Sequence, residues 1–326
     1  MDLGADKEMK IVRDRTGEYG DCAYEYLNWE SYDDNSTEEV FFYGYETAHN
    51  AKIKETYSNY NRKIYYQGEQ PCGFYSMRDI PRSLNVGEYF DEIYSTCPYS
   101  AEWMNLIHGY DKYRKIIFPH NLDWAIKDDP EKPLDVIYWG NVPNGSKVVL
   151  NILNSVVKFK HAFYTLGHGV PQYMAPHITG INTPRVEMWE TLRKCKVMVT
   201  ANLLYLTDEQ VHATKMCPRW KENEAFSHLD AHIMPQIKTR PIEAIFNRSL
   251  VVLKEDPWRI FDNFFTPDEE FLYYKDDEDL EPLLRDISNN WKDYKPIADR
   301  AYEKATKLYS TDQVLKEIQE RVHFDD

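Results

Sequence analysis

The sequence predicts an α/β protein of two Rossmann-like domains, each built on a parallel sheet, which face a central cleft. Three observations carry this prediction. The chain has 326 residues, which is long for a single core. Short β-rich runs alternate with helical or polar segments along most of it. A stretch rich in proline and charge, residues 119–135, interrupts this alternation as linkers do.

The first half contains five short runs with the composition of strands. They are MKIVR, EVFFYGY, KIYYQG, DEIYS and KIIFP. Polar or helical segments separate them, which favours a parallel sheet. We therefore place an N-terminal Rossmann-like domain at residues 1–125 and a C-terminal one at residues 126–326.

The second half alternates strands and helices more regularly. The predicted order is strand DVIYWG, helix SKVVLNILNSVVKF, strand HAFYTLG, helix RVEMWETLRKC, strand KVMVTANLL, helix PIEAIFNR, strand SLVVL, strand FLYY and helix DLEPLLRDI, with two closing helices. Elements of these lengths predict right-handed crossovers onto a doubly wound sheet. Ligands of such sheets bind beyond the carboxyl ends of the strands.

Composition and charge argue against several classes of protein. A net charge of -15 opposes non-specific binding to nucleic acid or to anionic membranes. No apolar run approaches the roughly 18 residues of a membrane span. The charged N-terminal residues lack the apolar centre of a signal peptide, so a cytoplasmic location is expected. Five cysteines without C-x-x-C spacing argue against a disulfide framework or structural zinc.

The stretch QIKTRPIEAIFNR carries two cations where a helix is expected to begin. Pro241 suits a first helical position, which makes Arg240 the cap residue. A helix N-terminus is partially positive, so Lys238 and Arg240 are unfavourable there unless an anion binds. We therefore predict a phosphate-bearing ligand, with Glu243 accepting hydrogen bonds from vicinal hydroxyls. In the alternative, Glu243 only complements the helix dipole and the cations extend into solvent.

A second candidate loop follows the strand DVIYWG. It contains Gly140 and Asn141, then Ser146 as a helix cap and Lys147 in the first helical turn. Glycine allows close backbone approach and a lysine at a helix start favours an anion, so this loop has the properties of a phosphate cradle. It matches neither the Walker pattern nor G-x-G-x-x-G, and an ordinary βα turn is the alternative.

Two segments carry a family resemblance. KTRPIEAIFNRSLVVLKED and FFTPDEEFLYYKDDEDLEPLLRDI resemble the C-terminal half of GT-B glycosyltransferases, particularly the group-one and spore-maturation-like branch. There an Arg-x-x-Glu-Ala helix precedes a short strand, a loop and a similar acidic segment. The resemblance covers about residues 133–290. In the first 125 residues it is limited to the order of strands.

The resemblance implies a GT-B fold and a nucleotide-sugar donor, such as a UDP-sugar, with no cofactor and no metal. It implies that Glu243 binds the ribose hydroxyls. It implies that the donor diphosphate is bound by Arg240 and by the loop with Gly140, Asn141 and Lys147, and the charges at the helix start add Lys238 to this set. Retaining members often carry another glutamate eight positions earlier, where this chain has Pro235. The choice between retention and inversion therefore stays open.

An inverting transferase needs a base that takes the proton of the acceptor hydroxyl. Glu69, which follows the strand KIYYQG, is the candidate, and the alternative is that it only accepts backbone N–H bonds of its loop. KIYYQGEQ and PLDVIYWGN are also similar to the layout of phage DNA β-glucosyltransferases, although Gln70 occupies the strict position of the base. The expected acceptor is a hydroxyl on a glycan or on a hydroxymethylated DNA base in a virus or phage.

Four further polar residues are assigned to the sugar pocket: His228, Asp230, His232 and His168. The first three could instead bind a metal if helical, and His168 could be a core histidine. The function predicted from all these residues is glycosyl transfer, of a hexose or a pentose, to a hydroxyl acceptor. A non-catalytic nucleotide- or glycan-binding module and a sugar-nucleotide epimerase are the alternatives.

Overall fold

The structure of the protein is a computed structural model. It describes residues 10–13, 39–43, 62–67, 90–96, 98, 101–102, 105, 109–117, 120, 122, 131–142, 146–205, 208, 233–311, 313–314 and 316–317.

The chain divides into two compact units. The first comprises Met1–Pro119, Leu204–Ile237 and Val314–Asp326, and the second comprises His120–Leu203 and Lys238–Gln313. The boundary predicted between residues 125 and 126 lies outside the described residues, so it stays a prediction.

The first unit contains a five-stranded parallel sheet whose strands lie side by side in sequence order. The strands are β1 (Lys10–Arg13), β2 (Glu39–Tyr43), β3 (Arg62–Gln67), β4 (Glu92–Ser95) and β5 (Tyr113–Lys115). The first four coincide with predicted strands. The fifth was predicted two residues too late, because the buried pair Ile116 and Ile117 directly follows the strand and makes the apolar run.

Eight strands follow along the chain: β6 (Leu134–Trp139), β7 (His161–Thr165), β8 (Gly180–Ile181), β9 (Cys195–Ala201), β10 (Leu203–Tyr205), β11 (Ile233–Pro235), β12 (Leu250–Lys254) and β13 (Leu272–Tyr274). The tenth and eleventh pair with each other. The other six form one sheet in the order β13-β12-β9-β6-β7-β8, and all its pairs are parallel. The predicted doubly wound parallel sheet is therefore confirmed in the second unit.

Five helices accompany this sheet: α1 (Lys147–Val156), α2 (Arg185–Arg193), α3 (Thr239–Phe246), α4 (Asp277–Asn289) and α5 (Trp291–Leu308). Their apolar faces meet the strands in a core that includes Ile152, Leu284 and Val252. The predicted cap of the first helix is confirmed, because the Ser146 hydroxyl accepts the N–H of Val149 at 3.3 Å.

The start of α3 differs from the prediction made from Pro241. The helix begins at Thr239, and the extended residue Lys238 is its N-cap. Proline is tolerated inside the first turn because the N–H that it lacks has no partner in the helix. Arg240 is consequently the second helical residue instead of the cap, and Glu243 is the fifth.

Several short elements were missed from the sequence. They are β8, β11 and a 3-10 helix at Gln172–His177, and the predicted strand KVMVTANLL joined β9 and the start of β10 into one. Two or three residues are too few to show a periodic apolar pattern. None of the helices in the described part of the chain combines the length and the apolar character that crossing a bilayer requires.

Candidate functional site

The topology of the second unit marks one position on its sheet. The chain starts at β6, adds β7 and β8 on one side, and then returns to add β9, β12 and β13 on the other. In open α/β sheets, ligands bind outside the carboxyl ends of the two strands where this reversal occurs. Here those strands are β6 and β9. The residues that follow them are Gly140 and Asn202.

Arg240 lies directly against the end of β6. A Cβ atom added to Gly140 would lie only 2.6 Å from Cζ of Arg240, so a side chain here would displace this guanidinium from its position. Gly140 is itself held in place, because its N–H donates to the carbonyl oxygen of Tyr164 at 3.0 Å. The structure thus brings together two residues that the sequence assigned to the diphosphate, although one hundred residues separate them.

Lys238 lies at the start of α3, close to this guanidinium. Burial, together with the positive charge of Arg240, lowers the pKa of the Lys238 amine to about 7. Among the described residues, no carboxylate forms an ion pair with either cation. The two cations repel each other and have no carboxylate partner among the described residues. This place therefore favours a bound anion.

Asn202 is a site residue that the sequence analysis missed. It directly follows β9 and is fully buried. Its side-chain oxygen accepts the backbone N–H of Lys238 at 3.3 Å, and no side chain of α3 itself caps the helix. An asparagine in an apolar strand run carries no motif, and its partner lies 36 residues later, so no local signal indicates this role.

Glu243 is fully buried and paired with a second missed residue, Arg185. Oε1 of Glu243 lies 3.3 Å from Nη1 of Arg185, whose side chain is 22% exposed. The same guanidinium lies over the ring of Trp139, the residue before Gly140, at 5.4 Å from its centroid. The carboxylate assigned to the ribose is thus placed at the switch point of the sheet but enclosed, with Arg185 as its more exposed partner.

Lys147 and Asn141 belong to the loop after β6. Lys147 is the first residue of α1 and is exposed. Asn141 is also exposed, and its carbonyl oxygen accepts the hydroxyl of Tyr138 at 3.0 Å. Residues 143–145, in the middle of the predicted cradle, lie outside the described residues. The structure therefore gives the two ends of this loop only.

The other assigned residues are placed less fully. Glu69, His228, Asp230 and His232 lie outside the described residues, and their roles stay predictions. His168 is exposed in the loop after β7, so the alternative of a core histidine is wrong. In the described ranges, no group of three histidine, cysteine or acidic side chains is arranged to hold a metal ion.

Comparisons with known proteins agree with this architecture. Residues 184–320 match a family model described as glycosyl transferase-like. A search of curated proteins by sequence finds no match.

Three solved structures share the fold at low sequence identity. HepE from Anabaena, in complex with UDP-glucose, is 8% identical with a TM-score of 0.61, and the match covers 88% of this chain and 78% of HepE. Sucrose-phosphate synthase from Thermosynechococcus elongatus is 10% identical with a TM-score of 0.56, covering 88% and 73%. The pneumococcal O-GlcNAc transferase GtfA, with UDP and GlcNAc, is 9% identical with a TM-score of 0.53, covering 87% and 56%.

The family match includes α2 and α3, and the structural matches extend over both units. The similarity to phage DNA β-glucosyltransferases has no counterpart among these findings and stays a prediction. The resemblance that the sequence carries is confirmed: this chain has the GT-B fold, and its residues 184–320 match the glycosyl transferase-like family model.

Proposed function

We propose that this chain transfers a sugar from a nucleoside-diphosphate sugar to a hydroxyl acceptor. One observation carries the proposal: Arg240 lies on Gly140 at the carboxyl end of β6, with Lys238 beside it and no described carboxylate paired to either. A diphosphate supplies the missing negative charge at this place. UDP is the first nucleotide to test, because the HepE structure contains UDP-glucose and the GtfA structure contains UDP.

The proposed catalytic contribution of these cations is electrostatic. When the bond between sugar and diphosphate breaks, negative charge builds up on the leaving phosphate oxygen. Fixed donors at that position stabilise the charge without having to reorganise, which is commonly the largest contribution to catalysis. The donors in this proposal are Lys238, Arg240 and the N–H groups of the first turn of α3. Lys147, at the start of α1, is a further donor.

Glu243 is proposed to accept hydrogen bonds from the ribose hydroxyls. Because its carboxylate is enclosed, this contact requires Arg185, the partly exposed member of the ion pair, to move aside. If a phosphate oxygen enters the site, the guanidinium of Arg185 can pair with that oxygen instead of with Glu243.

The acceptor side of the proposal rests on sequence alone. Glu69 is proposed as the base that takes the acceptor proton, and His228, Asp230, His232 and His168 are proposed to line the sugar pocket. A glycan hydroxyl and a hydroxymethylated DNA base are both acceptors of suitable chemistry. A gel shift with hydroxymethylated duplex DNA at low salt separates them, because absence of retardation removes the DNA acceptor.

Donor binding tests the proposal. We expect Arg240→Ala to lower the affinity for UDP by roughly tenfold to a hundredfold, since a charge-assisted hydrogen bond contributes about 1.5–3 kcal/mol. Titration calorimetry of the wild type and the variant measures this. Arg285→Ala is the matched control, because Arg285 is an exposed helical arginine that pairs with Glu281 and is assigned no role in the site. Equal UDP affinity in wild type and Arg240→Ala contradicts the assignment.

Turnover distinguishes the alternatives. Incubation with a panel of nucleotide sugars is expected to release nucleoside diphosphate slowly even without an acceptor. Tight binding without any release indicates a non-catalytic binding module, and isomerised donor indicates an epimerase. Either result contradicts the proposed transfer.

A further inference from the structure

Asn202 carries a buried donor group that the protein does not use. The side chain is fully buried at the carboxyl end of β9. Its Oδ1 accepts the N–H of Lys238 at 3.3 Å, but its Nδ2 has no hydrogen-bond partner among the described residues. Buried polar groups in folded proteins are almost always paired, and an exception calls for an explanation such as a bound water or ion.

The orientation of this amide follows from its one hydrogen bond. A backbone N–H can only donate, so the atom that faces Lys238 must be the oxygen. The unpartnered atom of Asn202 is therefore the NH2 group, which is a donor with no capacity to accept.

The surroundings of this amide are also donors. Asn202 holds the N-cap of α3, an eight-residue helix that no side chain of its own caps. Lys238 and Arg240 contribute two cations at the same helix start. Gly140, against which Arg240 lies, follows the neighbouring strand across the switch point. A place that offers a helix N-terminus, two cations and an amide NH2 matches a ligand that only accepts, and this describes a phosphate group.

We propose that Asn202 is a further donor-binding residue, whose Oδ1 fixes the start of α3 while its Nδ2 donates to a phosphate oxygen of the nucleoside diphosphate. This inference rests on the proposed function, since it assumes that a diphosphate occupies the start of α3. Asn202 differs from the two cations in being neutral and fully buried. Its contribution is therefore to position the ligand more than to supply charge, because it connects the ligand to the end of β9 as well as to the start of α3.

Two replacements of Asn202, by aspartate and by serine, test this role against a purely structural one. A residue that only caps the helix needs an acceptor, and aspartate is as good a cap as asparagine. Asn202→Asp keeps an oxygen for the N–H of Lys238 and adds a negative charge beside two cations. It removes the donor and places a repelling charge next to the phosphate. Both roles predict a folded Asn202→Asp protein, and the added charge beside the two cations lowers UDP affinity even without a direct contact to the phosphate. The neutral variant Asn202→Ser therefore separates the roles, because a purely structural role predicts wild-type affinity for it and the proposed role predicts a loss.

The experiment compares UDP and uridine binding to the full chain by titration calorimetry, with thermal melting of the empty protein as the control for folding. For Asn202→Asp we expect UDP affinity to fall by about a hundredfold and uridine affinity to change by less than about threefold. Asn154→Asp is the matched control, because it adds the same charge on the exposed surface of α1. Its UDP affinity is expected to equal that of the wild type.

The second variant removes the NH2 donor without adding a charge, and it also serves if Asn202→Asp does not fold. Asn202→Ser keeps a neutral acceptor but has no NH2 group, and we expect about a threefold to tenfold loss of UDP affinity. Wild-type UDP affinity in a folded Asn202→Asp protein, or in Asn202→Ser, overturns the inference and leaves the proposed function intact. A wild-type protein that binds no nucleoside diphosphate overturns the proposed function and the inference with it.

Discussion

Single residues in the second unit are constrained by neighbours that lie far away in sequence. Gly140 is the clearest case, because the space that a side chain would occupy is filled by the guanidinium of Arg240. The sequence suggested glycine for close approach to a phosphate, and the structure shows close approach to a protein cation. The two explanations are compatible, because the guanidinium of Arg240 lies against the end of β6, where a phosphate of the donor is proposed to bind.

Asp256, two residues after β12, is a residue at which burial opposes ionisation. The side chain is 2% exposed, and its Oδ1 accepts the N–H groups of Trp258 at 3.0 Å and of Ile260 at 3.3 Å. Burial raises the pKa of the carboxyl group to about 6, although these hydrogen bonds act in the opposite direction. The protonated form is therefore favoured by folding more than the charged form.

The sign of the effect on stability follows from this pKa. The folded value exceeds the unfolded value of about 3.9, so the stabilising contribution is complete below pH 4 and is lost as the pH rises through 6. We expect Asp256→Asn to raise the free energy of unfolding at pH 7.5 by roughly 1–3 kcal/mol, with little gain at pH 4. Denaturant titrations at both pH values measure this. Asp293→Asn, at an exposed helical position, is the control, and an equal gain at both pH values argues against the assignment.

The arrangement of helices and strands explains which residues of the site could be predicted from the sequence. Gly140 and the α3 cations were found because a strand end and a helix start are each visible within about ten residues. Arg185 and Asn202 were missed because their partners, Glu243 and Lys238, belong to a helix much later in the chain. Local sequence patterns indicate secondary structure. Which helix starts lie together at one edge of the sheet depends on the strand order, and only the fold shows that order.

The ion pair between α2 and α3 leads to a testable prediction about the stability of the packing of these two helices. The Arg185–Glu243 pair joins the first turn of one helix to the middle of the other. Removing one partner of a buried pair costs about 3–5 kcal/mol, and the partial exposure of Arg185 reduces this. We therefore expect Glu243→Gln to lower the free energy of unfolding by roughly 1–3 kcal/mol in denaturant titrations.

The control is Glu281→Gln, because Glu281 pairs with Lys158 and Arg285 at the surface, where such pairs contribute about 0–1 kcal/mol. The double variant Arg185→Gln with Glu243→Gln is expected to recover part of the loss, since it leaves no unpaired charge from this pair. A loss for Glu243→Gln no larger than that of the control contradicts a structural role for the pair.

The charge of the whole molecule contrasts with the charge of the site. The chain carries a net charge of -15, which repels an anionic donor at long range. Beyond about 10 Å, however, salt at 0.1 M screens this repulsion, while cations in direct contact with the ligand are screened far less. Donor recognition by an acidic protein of this kind is therefore expected to depend on a few local cations, of which Lys238 is the one that titrates near neutral pH.

The pH dependence of donor affinity tests this dependence on local charge. The pKa of Lys238 is about 7 in the empty protein, lowered by burial and by Arg240, and a bound diphosphate favours the protonated amine. Affinity should thus be highest below pH 7 and should fall between pH 7 and pH 9, by at most about tenfold per pH unit. UDP-glucose is the suitable probe, because its diphosphate lacks the terminal phosphate ionisation near pH 6.

Calorimetry at pH 8 in buffers of different ionisation enthalpy counts the protons taken up on binding. We expect close to one proton for the wild type and none for Lys238→Met, whose affinity is lower and independent of pH over this range. A wild-type protein that binds UDP-glucose without proton uptake at pH 8 shows that the amine does not meet the diphosphate. Arg240 and the first turn of α3 are then the donors that remain for the leaving group.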